Sequence, residues 1–510
     1  MIKYFIGTDI GTQSTRVIIY DTAGKEISRG SCKHPAMVSP QQGWMEHGKY
    51  DLWEAFCKAA QQAMAGYSGT NEELGGISFA YQSTTLFPIS AEGEILYNAI
   101  SWMDGRTVPE AEDLPENLSE DLKIASKTAK ANWFKRVKPE VYAQTDKFLT
   151  AGGMISFMLT GSSDESLAGL LNNWPVDRPN WAPTDDDMMF KCYGMEKSHM
   201  GKLVMPGTLL GTVTQKAAQL TGLPEGLAVY AGALDKESEF VGSGITQPNK
   251  AYITTGTCTT MARVSDKYVG GKFCTFAPIK GLYNYPVIVG KGFWIVSWFR
   301  DNLGQDLAAK ASAEGKSIEQ LLEEEAEGIP AGSNGLLVLP EWMPIMGLGH
   351  NFGKGMFVGF DDRHHRGHMY KALMEGIVMQ MKQGFEADKG SGILDEISEL
   401  RIGGGGSQSS MFMQIVADVF GTRVIRASTT ETCSLGAAMY AAVGSGVYSD
   451  LEDAAAHMSS DTDVFTPIPE NQEFYSHWYE EVFSKTYDTM LPVLKNISKL
   501  TSDADIQFFI

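Results

Sequence analysis

The stretch that decides the fold lies near the amino end of the chain, where residues 5–20 read FIGTDIGTQSTRVIIY. Two runs rich in β-branched and aromatic residues flank a short polar turn around Gly11, and this pattern predicts a β-hairpin. The turn offers backbone N–H groups and hydroxyls to phosphate oxygens, and Asp9 before it can hold Mg²⁺ through water. An ordinary hairpin turn accounts for the same residues equally well. The residues of this turn that we assign to phosphate binding are Asp9, Gly11, Thr12, Gln13, Ser14 and Arg16.

The size and charge of the chain limit its function. At 510 residues the chain is too long for one hydrophobic core, so we expect two domains. Its formal net charge of −20 repels nucleic acid and anionic lipid, so neither is an expected partner. No run approaches the roughly 18 apolar residues of a membrane span, and the six scattered cysteines form no CxxC pair. We therefore expect a cytoplasmic protein in which local turns, a metal ion or a few cations hold any anionic ligand.

The strand-and-helix pattern of the first half of the chain recurs in the second half. A strand-like run after Leu227 precedes a predicted helix at 236–241 and a second predicted hairpin at 250–264. The glycine-containing stretch 242–249 lies between them, so we place the domains at 1–245 and 246–510. Within the first domain the sequence also predicts a strand at 76–81, a hairpin-like stretch at 95–102 and a mostly helical segment at 110–200.

A second hydroxyl-rich glycine turn occupies residues 254–260, which read TTGTCTT. Two such turns, one from each domain, can bind a polyphosphate from opposite sides, and Gly256 and Thr257 are the candidates here. Neither turn is a P-loop. The nearest approach to one, around Gly315, has Lys310 where the first glycine should stand.

A third glycine-rich segment, residues 401–409, reads RIGGGGSQS and precedes a predicted amphipathic helix at 411–420. Ordering four consecutive glycines is costly in entropy, so a structured turn here indicates close approach of the backbone to a ligand. A flexible loop is the alternative. No acidic residue follows at the distance expected for a nicotinamide-binding fold. The candidates for nucleotide binding are Gly404, Gly405 and Ser409.

Two further places carry candidate chemistry. Asp235 ends an apolar strand, where it can act as a general base or cap the following helix, and the sequence does not separate these roles. Trp102, Asp104 and Arg106 lie within five residues of one another and suit a polyhydroxylated ligand, since an indole stacks on C–H faces and charged groups bind hydroxyls. A core tryptophan beside a surface ion pair is the alternative.

Taken in order, these segments resemble the FGGY family of carbohydrate kinases almost end to end. Residues 9–16 resemble its first phosphate motif, residues 97–106 its substrate-binding strand, residues 256–257 its second phosphate motif and residues 404–405 its adenosine motif. The segments GWMEH at 43–47 and ETCSLGAA at 431–438 are also similar to the family. The resemblance implies an α/β fold in which two actin-like (ribonuclease H-like) ATPase domains flank a nucleotide and substrate cleft.

The resemblance also implies a reaction. ATP, with Mg²⁺, would phosphorylate a hydroxyl of a small sugar, and the leading acceptor is a ketopentose such as xylulose. Asp235 would be the catalytic base, and a homodimer or other homo-oligomer is expected. A different ketose or polyol, such as ribulose, erythritol or glycerol, remains open, as do an actin-like ATPase and a weakened kinase without sugar turnover. The implied sugar contacts are Gln82, Ser83, Thr84, Trp102, Asp104, Arg106 and Asp235.

The sequence departs from the family pattern in three places. Lys236 follows Asp235 where an amide is usual. Residues 82–84 lack the charged or imidazole groups that glycerol kinases and xylulokinases place there. Phe293 and Trp294 replace a small-residue segment that usually meets the nucleotide. These departures bear on the acceptor and on nucleotide affinity.

Overall fold

The computed structural model of the chain describes residues 1–501 except 110–113, 116, 172–173, 257, 344–349, 351 and 395. The strands of the first half are β1 (Tyr4–Ile10), β2 (Ser14–Asp21), β3 (Glu26–Lys33), β4 (Glu46–His47), β5 (Leu74–Tyr81), β6 (Phe87–Ile89), β7 (Ala99–Ile100), β8 (Lys147–Leu149), β9 (Glu165–Ser166), β10 (Val176–Asp177), β11 (Ala182–Pro183), β12 (Leu203–Val204), β13 (Leu209–Thr212), β14 (Ala228–Tyr230) and β15 (Ala233–Leu234). The helices of the first half are α1 (Asp51–Ala65), α2 (Glu120–Thr128), α3 (Lys130–Val137), α4 (Pro139–Tyr142), α5 (Ala151–Thr160), α6 (Asp187–Tyr193), α7 (Gln215–Thr221) and α8 (Asp235–Gly242).

The second half is built in the same way. Its strands are β16 (Lys250–Thr255), β17 (Thr259–Ser265), β18 (Thr275–Phe276), β19 (Tyr283–Val289), β20 (Leu337–Leu339), β21 (Met356–Val358), β22 (Glu399–Gly404), β23 (Arg423–Ala427) and β24 (Asp461–Phe465). Its helices are α9 (Gly292–Leu303), α10 (Ala308–Glu314), α11 (Ile318–Ala326), α12 (Arg366–Ala387), α13 (Ser410–Phe420), α14 (Thr432–Gly444), α15 (Leu451–Met458), α16 (Pro469–Trp478) and α17 (Ser484–Thr501).

Two seven-stranded sheets repeat one topology. In the first, β1, β2 and β3 are antiparallel neighbours, β5 runs parallel to β1, and β14 runs parallel to β5. In the second, β16, β17 and β19 are antiparallel neighbours, β22 runs parallel to β16, and β23 runs parallel to β22. This duplicated arrangement is the two-domain actin-like α/β fold, so the predicted fold class is confirmed.

The central strands of the first sheet are buried on both faces. Strand β5 is buried along its whole length, and β1 is buried from Phe5 onward. This is the near-continuous burial expected when helices cover both sides of a parallel pair. Helix α1 packs on β2 and β3, while α14 packs on β1 and β5. A Cβ at Gly7 would lie 1.8 Å from the backbone oxygen of Ser434, so β1 and α14 are in backbone contact that no larger residue permits.

Helix α14 therefore returns from the second half of the chain to the first sheet. There it also packs against α8, and a Cβ at Gly436 would lie 2.1 Å from the backbone oxygen of Ser238. The contact between α8 and α14 joins the strand that ends at Leu234 to the tail segment that begins at Glu431. It brings residues about 200 positions apart to one end of the first sheet.

The described secondary structure corrects one sequence prediction. The described part of segment 110–200 is less than half α-helical, because loops and the short strands β8 to β11 separate helices α2 to α6. Residues 95–102 are hairpin-like as predicted, since Ile95 and Ile100 bridge to residues 89 and 86 across the turn at 90–94, and β7 also pairs with the distant β4. The predicted strand at 76–81, the helices at 236–241 and 411–420 and both hairpins are present within a residue or two. Among the described residues, every helix is too short or too polar to cross a membrane.

Candidate active site

The first glycine turn joins β1 to β2 and is fixed from several sides. The Gly11 N–H donates to the backbone oxygen of Ser14 at 3.0 Å and closes the turn. Below it, the side-chain amide of Gln82 donates to the backbone oxygen of Gly11 at 3.2 Å, and the His34 N–H donates to the backbone oxygen of Gln13 at 2.8 Å. The turn is therefore held in shape before any ligand arrives.

Thr12 at the tip of this turn contacts the predicted sugar strand. The Trp102 indole N–H donates to the Thr12 hydroxyl at 2.9 Å, although the two residues are 90 positions apart. Trp102 is 44% exposed, so its ring is accessible to solvent. One hydrogen bond thus joins the predicted phosphate site and the predicted acceptor site.

A group of carboxylates surrounds the end of β1. Asp9 is 8% exposed, and burial raises the pKa of its carboxyl to about 7. Arg16 opposes that rise through an ion pair with Asp9 at 3.1 Å, whereas the negative charges of Asp235, Glu239 and Glu431 reinforce it. Asp9 therefore changes its charge near neutral pH.

Asp235 is the first residue of α8, and Leu234 is the N-cap residue of that helix. One carboxylate oxygen of Asp235 accepts the N–H of its neighbour Lys236 at 2.8 Å, which leaves the second oxygen for another partner. Burial raises the pKa of Asp235 above its ordinary value. A half-buried carboxylate with a raised pKa and a free oxygen has the properties of a general base.

Lys236 points along α8 toward the second domain. Its ammonium pairs with Glu239 at 3.0 Å, and the other oxygen of Glu239 accepts the hydroxyl of Thr254 at 3.2 Å. Thr254 belongs to β16, the strand that leads into the second glycine turn. The residue that departs from the family pattern therefore links the candidate base to the second phosphate turn.

Asp104 and Arg106 form a buried ion pair that faces away from solvent. Their side chains are 0% and 2% exposed, and the Arg106 Nε donates to Asp104 at 2.7 Å. Arg106 also pairs with the buried Glu46 at 2.8 Å, and its guanidinium lies 4.1 and 4.4 Å from the ring centres of Trp44 and Trp133. This cluster supports the loop that carries Trp102, which neither predicted alternative described.

The segment 82–84 follows β5 at its carboxyl end. Gln82 is 2% exposed and serves the first glycine turn, while Ser83 and Thr84 are half-buried. Thr84 adopts a φ of 49°, in the left-handed region that a β-branched residue rarely enters. The buried Lys130 donates to the backbone oxygen of Thr84 at 2.5 Å.

The second glycine turn lies beside the third glycine segment. Strands β16 and β22 are parallel, with Thr255 opposite Gly404, and the Thr255 hydroxyl donates to the backbone oxygen of Gly403 at 2.6 Å. Gly256 is exposed, and Thr257 lies outside the described residues. The structure thus brings the predicted second phosphate motif next to the predicted adenosine motif.

The four-glycine segment serves both packing and access. A Cβ at Gly406 would lie 2.2 Å from the ring of Phe293, which packs edge-on against Phe412 at 4.9 Å. A Cβ at Gly405 would meet nothing within 4 Å, so that backbone faces open space. Ser409 is the N-cap of α13, and its hydroxyl accepts the Phe412 N–H at 3.0 Å. A ligand can therefore approach the backbone of Gly405 more closely than that of Gly406.

The second domain carries further aromatic side chains on α9 and after β20. Trp294 is 37% exposed, and the Lys291 ammonium lies 4.6 Å from its ring centre. Trp298 and Trp342 approach one another at 5.6 Å. Phe293 is the ring that meets the glycine segment, and a flat apolar surface beside open glycine backbone suits a heterocyclic base.

Sequence reasoning missed several residues of the site. The negative charges of Glu239 and Glu431 act on Asp9. His34 fixes the first glycine turn, and Lys130 fixes the segment that contains Thr84. Glu431 lies in a segment whose similarity to the family was evident, so its position relative to Asp9 was the missing information. Lys130 gives no signal in the sequence, because its role depends on burial.

The donor set around Asp9 suits a hard cation. Carboxylate oxygens outnumber the cations Arg16 and Lys236 there, and oxygen ligands are what Mg²⁺ prefers. Among the described residues, no group of three or more His, Cys, Asp or Glu is arranged to hold a metal ion. A Mg²⁺ ion that binds through one carboxylate, its own waters and substrate phosphates does not need such a group.

Comparisons with known proteins agree with this geometry. The N-terminal domain model of the FGGY family of carbohydrate kinases matches residues 4–242, and its C-terminal domain model matches residues 251–445. The chain is 29% identical to an uncharacterized sugar kinase, YgcE, of Escherichia coli K12, over 98% of this chain and 99% of that protein. It is 27% identical to a xylulose kinase of Bacillus subtilis, over 96% and 98%. The solved xylulose kinase of Rhodospirillum rubrum superposes with a TM-score of 0.80 at 25% identity, over 96% and 100%.

Proposed function

Because this chain belongs to the FGGY family of carbohydrate kinases, which transfer phosphoryl groups from ATP to sugar hydroxyls, we propose that its acceptor is a ketopentose such as xylulose. One observation carries the proposal: the Trp102 indole is hydrogen-bonded to Thr12 of the first glycine turn at 2.9 Å. An acceptor that stacks on Trp102 would lie beside the turn that holds the phosphates. A small sugar is large enough to contact both the Trp102 ring and this turn.

We assign the reaction to Asp235. It accepts the proton of the acceptor hydroxyl as that oxygen bonds to the γ-phosphorus, and the bond from phosphorus to the β–γ bridging oxygen breaks to release ADP. The raised pKa of Asp235 makes it a better proton acceptor than an ordinary aspartate. Closure of the two domains would exclude water, which competes with the sugar as acceptor.

The nucleotide is assigned to both glycine turns and the third glycine segment. Backbone N–H groups and hydroxyls of residues 12–14 and 256–257 bind the phosphates, Gly11 closes the first turn through its N–H, and Gly404 and Gly405 allow the adenosine to approach. Asp9 would hold Mg²⁺ through water, and the ion would supply charge stabilisation for the phosphates. Arg16 keeps Asp9 in place through their ion pair at 3.1 Å.

We assign the acceptor to residues on the first domain. Trp102 stacks on the sugar, and Ser83 and Thr84 contact its hydroxyls. The buried Gln82, Asp104 and Arg106 fix the segments that carry these three side chains. The division at 1–245 and 246–510 then gives each domain one phosphate turn, with the acceptor on the first domain and the adenosine on the second. We further propose a cytoplasmic homodimer or other homo-oligomer, which light scattering of the purified protein tests.

An acceptor panel tests the proposed function. Purified protein with MgATP is assayed for ADP release and for sugar phosphate against xylulose, ribulose, erythritol, glycerol and a hexulose. The highest kcat/KM is expected with a ketopentose. A higher value for a polyol moves the assignment to that acceptor. ATP hydrolysis that no acceptor stimulates would instead identify an ATPase or a weakened kinase.

A further inference from the structure

A buried lysine behind the acceptor segment has a single partner. Lys130 begins helix α3, its side chain belongs to a residue only 7% exposed, and its ammonium donates to the backbone oxygen of Thr84 at 2.5 Å. Among the described residues this is its one hydrogen bond. An ammonium group has three N–H donors, and leaving buried donors unpaired costs free energy.

The partner of Lys130 is in an unusual conformation. Thr84 has a φ of 49°, and strained backbone of this kind concentrates at ligand-binding positions. It follows β5, whose carboxyl end faces the ligand crevice of the sheet. The preceding Gln82 is tied to Gly11 of the phosphate turn at 3.2 Å. Lys130 thus fixes a strained segment that borders both the acceptor and the phosphate sites.

The charges around Lys130 are already balanced. Among the described residues, Asp104 and Arg106 are the charged groups that act on it, and Arg106 also pairs with Glu46. These two carboxylates and two cations sum to zero when Lys130 is protonated. The remaining donors of Lys130 therefore suit a neutral oxygen atom, such as a hydroxyl or carbonyl of a sugar.

We propose that Lys130 is a specificity-determining residue of the acceptor site: one N–H holds the Thr84 carbonyl, and another donates to a hydroxyl or carbonyl oxygen of the sugar. This inference rests on the proposed kinase function. It adds to the acceptor site a residue from α3, an element that none of the motifs covers.

The variant K130M tests the proposal by steady-state kinetics. The acceptor KM is expected to rise about 10- to 100-fold, the loss typical of a charged hydrogen bond, while the ATP KM changes less than about twofold. K135M is the matched control, because Lys135 is exposed on the same helix, and it should leave both constants unchanged. If K130M has an unchanged acceptor KM, or if both KM values rise together, Lys130 has only a structural role.

A pH profile of the unmodified protein beside that of K130M is the second test. Burial lowers the pKa of Lys130 to about 7, with Asp104 opposing and Arg106 reinforcing the shift. As pH rises from 6 to 8.5 the ammonium loses a proton, so the acceptor KM should rise about threefold or more. The raised pKa of Asp9 is common to both proteins, so the rise should be absent from K130M only if Lys130 causes it, and a rise of equal size in that variant would overturn the proposal. If the unmodified protein phosphorylates no acceptor at all, the proposed function fails instead.

Discussion

The two walls of the cleft differ in chemistry. The wall from the first domain carries Asp9 and Asp235, and the buried pair of Asp104 and Arg106 lies behind it. The wall from the second domain carries glycine backbone and aromatic rings, including Phe293. The two sheets have the same topology, but one supports a charged surface and the other a surface of glycine backbone and aromatic rings. The difference is what the proposed function needs, with the chemistry and the acceptor assigned to the first domain and the nucleotide base to the second.

The largest effect is expected from removing the candidate base. D235N retains the shape of the side chain but cannot accept a proton, so kcat should fall by about 10³-fold or more while the ATP KM changes little. Single-turnover assays with the best acceptor measure this. D266N, an exposed aspartate in the second domain, is the control and should retain full activity. Retained turnover in D235N would show that Asp235 is not the base and that this residue does not distinguish the two walls chemically.

The buried ion pair of Asp104 and Arg106 should contribute strongly to the free energy of unfolding. R106M leaves Asp104 and Glu46 buried without their cation, and we expect a loss of about 3–5 kcal/mol in the free energy of unfolding. Urea denaturation followed by tryptophan fluorescence measures this loss. R363M removes an ion pair whose arginine is 64% exposed, and it should cost at most about 1 kcal/mol. Equal losses in the two variants would mean that burial of the pair has no energetic consequence.

Ionisation of Asp9 should lower the free energy of unfolding as pH rises. Because its folded pKa is raised to about 7, the folded state binds more protons than the unfolded state between the ordinary aspartate pKa and pH 7. Its contribution to stability therefore falls as pH rises through that window, and above it D9N should be more stable than the parent protein by up to about 4 kcal/mol.

Thermal unfolding at pH 5 and pH 8 measures the Asp9 effect. The gain from D9N should be larger at pH 8, and phosphoryl transfer should be lost at both values. A D9N protein that is less stable at pH 8 would show that the ion pair with Arg16 outweighs the burial of Asp9.

The smallest effect is expected on the second wall. Phe293 packs against Gly406 of the third glycine segment, so F293A should change the ATP KM about 10-fold and leave the acceptor KM within about twofold. F273A is the control, because Phe273 is 46% exposed in the same domain. A change in the acceptor KM alone would show that the second wall also reads the sugar.

The sequence by itself determined the local parts of this protein. Alternation and glycine turns predicted the hairpins around Gly11 and Gly256, and the strand and helix around Asp235, because these features depend on neighbours along the chain. The order of those segments, compared with a known family, was enough to predict two actin-like domains. The segment at 95–102 shows the limit, since the local pattern gave no sign that β7 also pairs with β4 about 50 residues earlier.

Tertiary structure alone decided which of these parts meet. The contact of Trp102 with Thr12, the return of Glu431 to the side of Asp9, and the burial of Lys130 under Thr84 all join residues 46 to more than 400 positions apart. Such contacts are set by helices packing on both faces of a sheet, as α14 does through Gly7. The same packing removes water and so shifts the pKa values of Asp9 and Lys130. The charge of a side chain depends on its surroundings, and those exist only once the chain has folded.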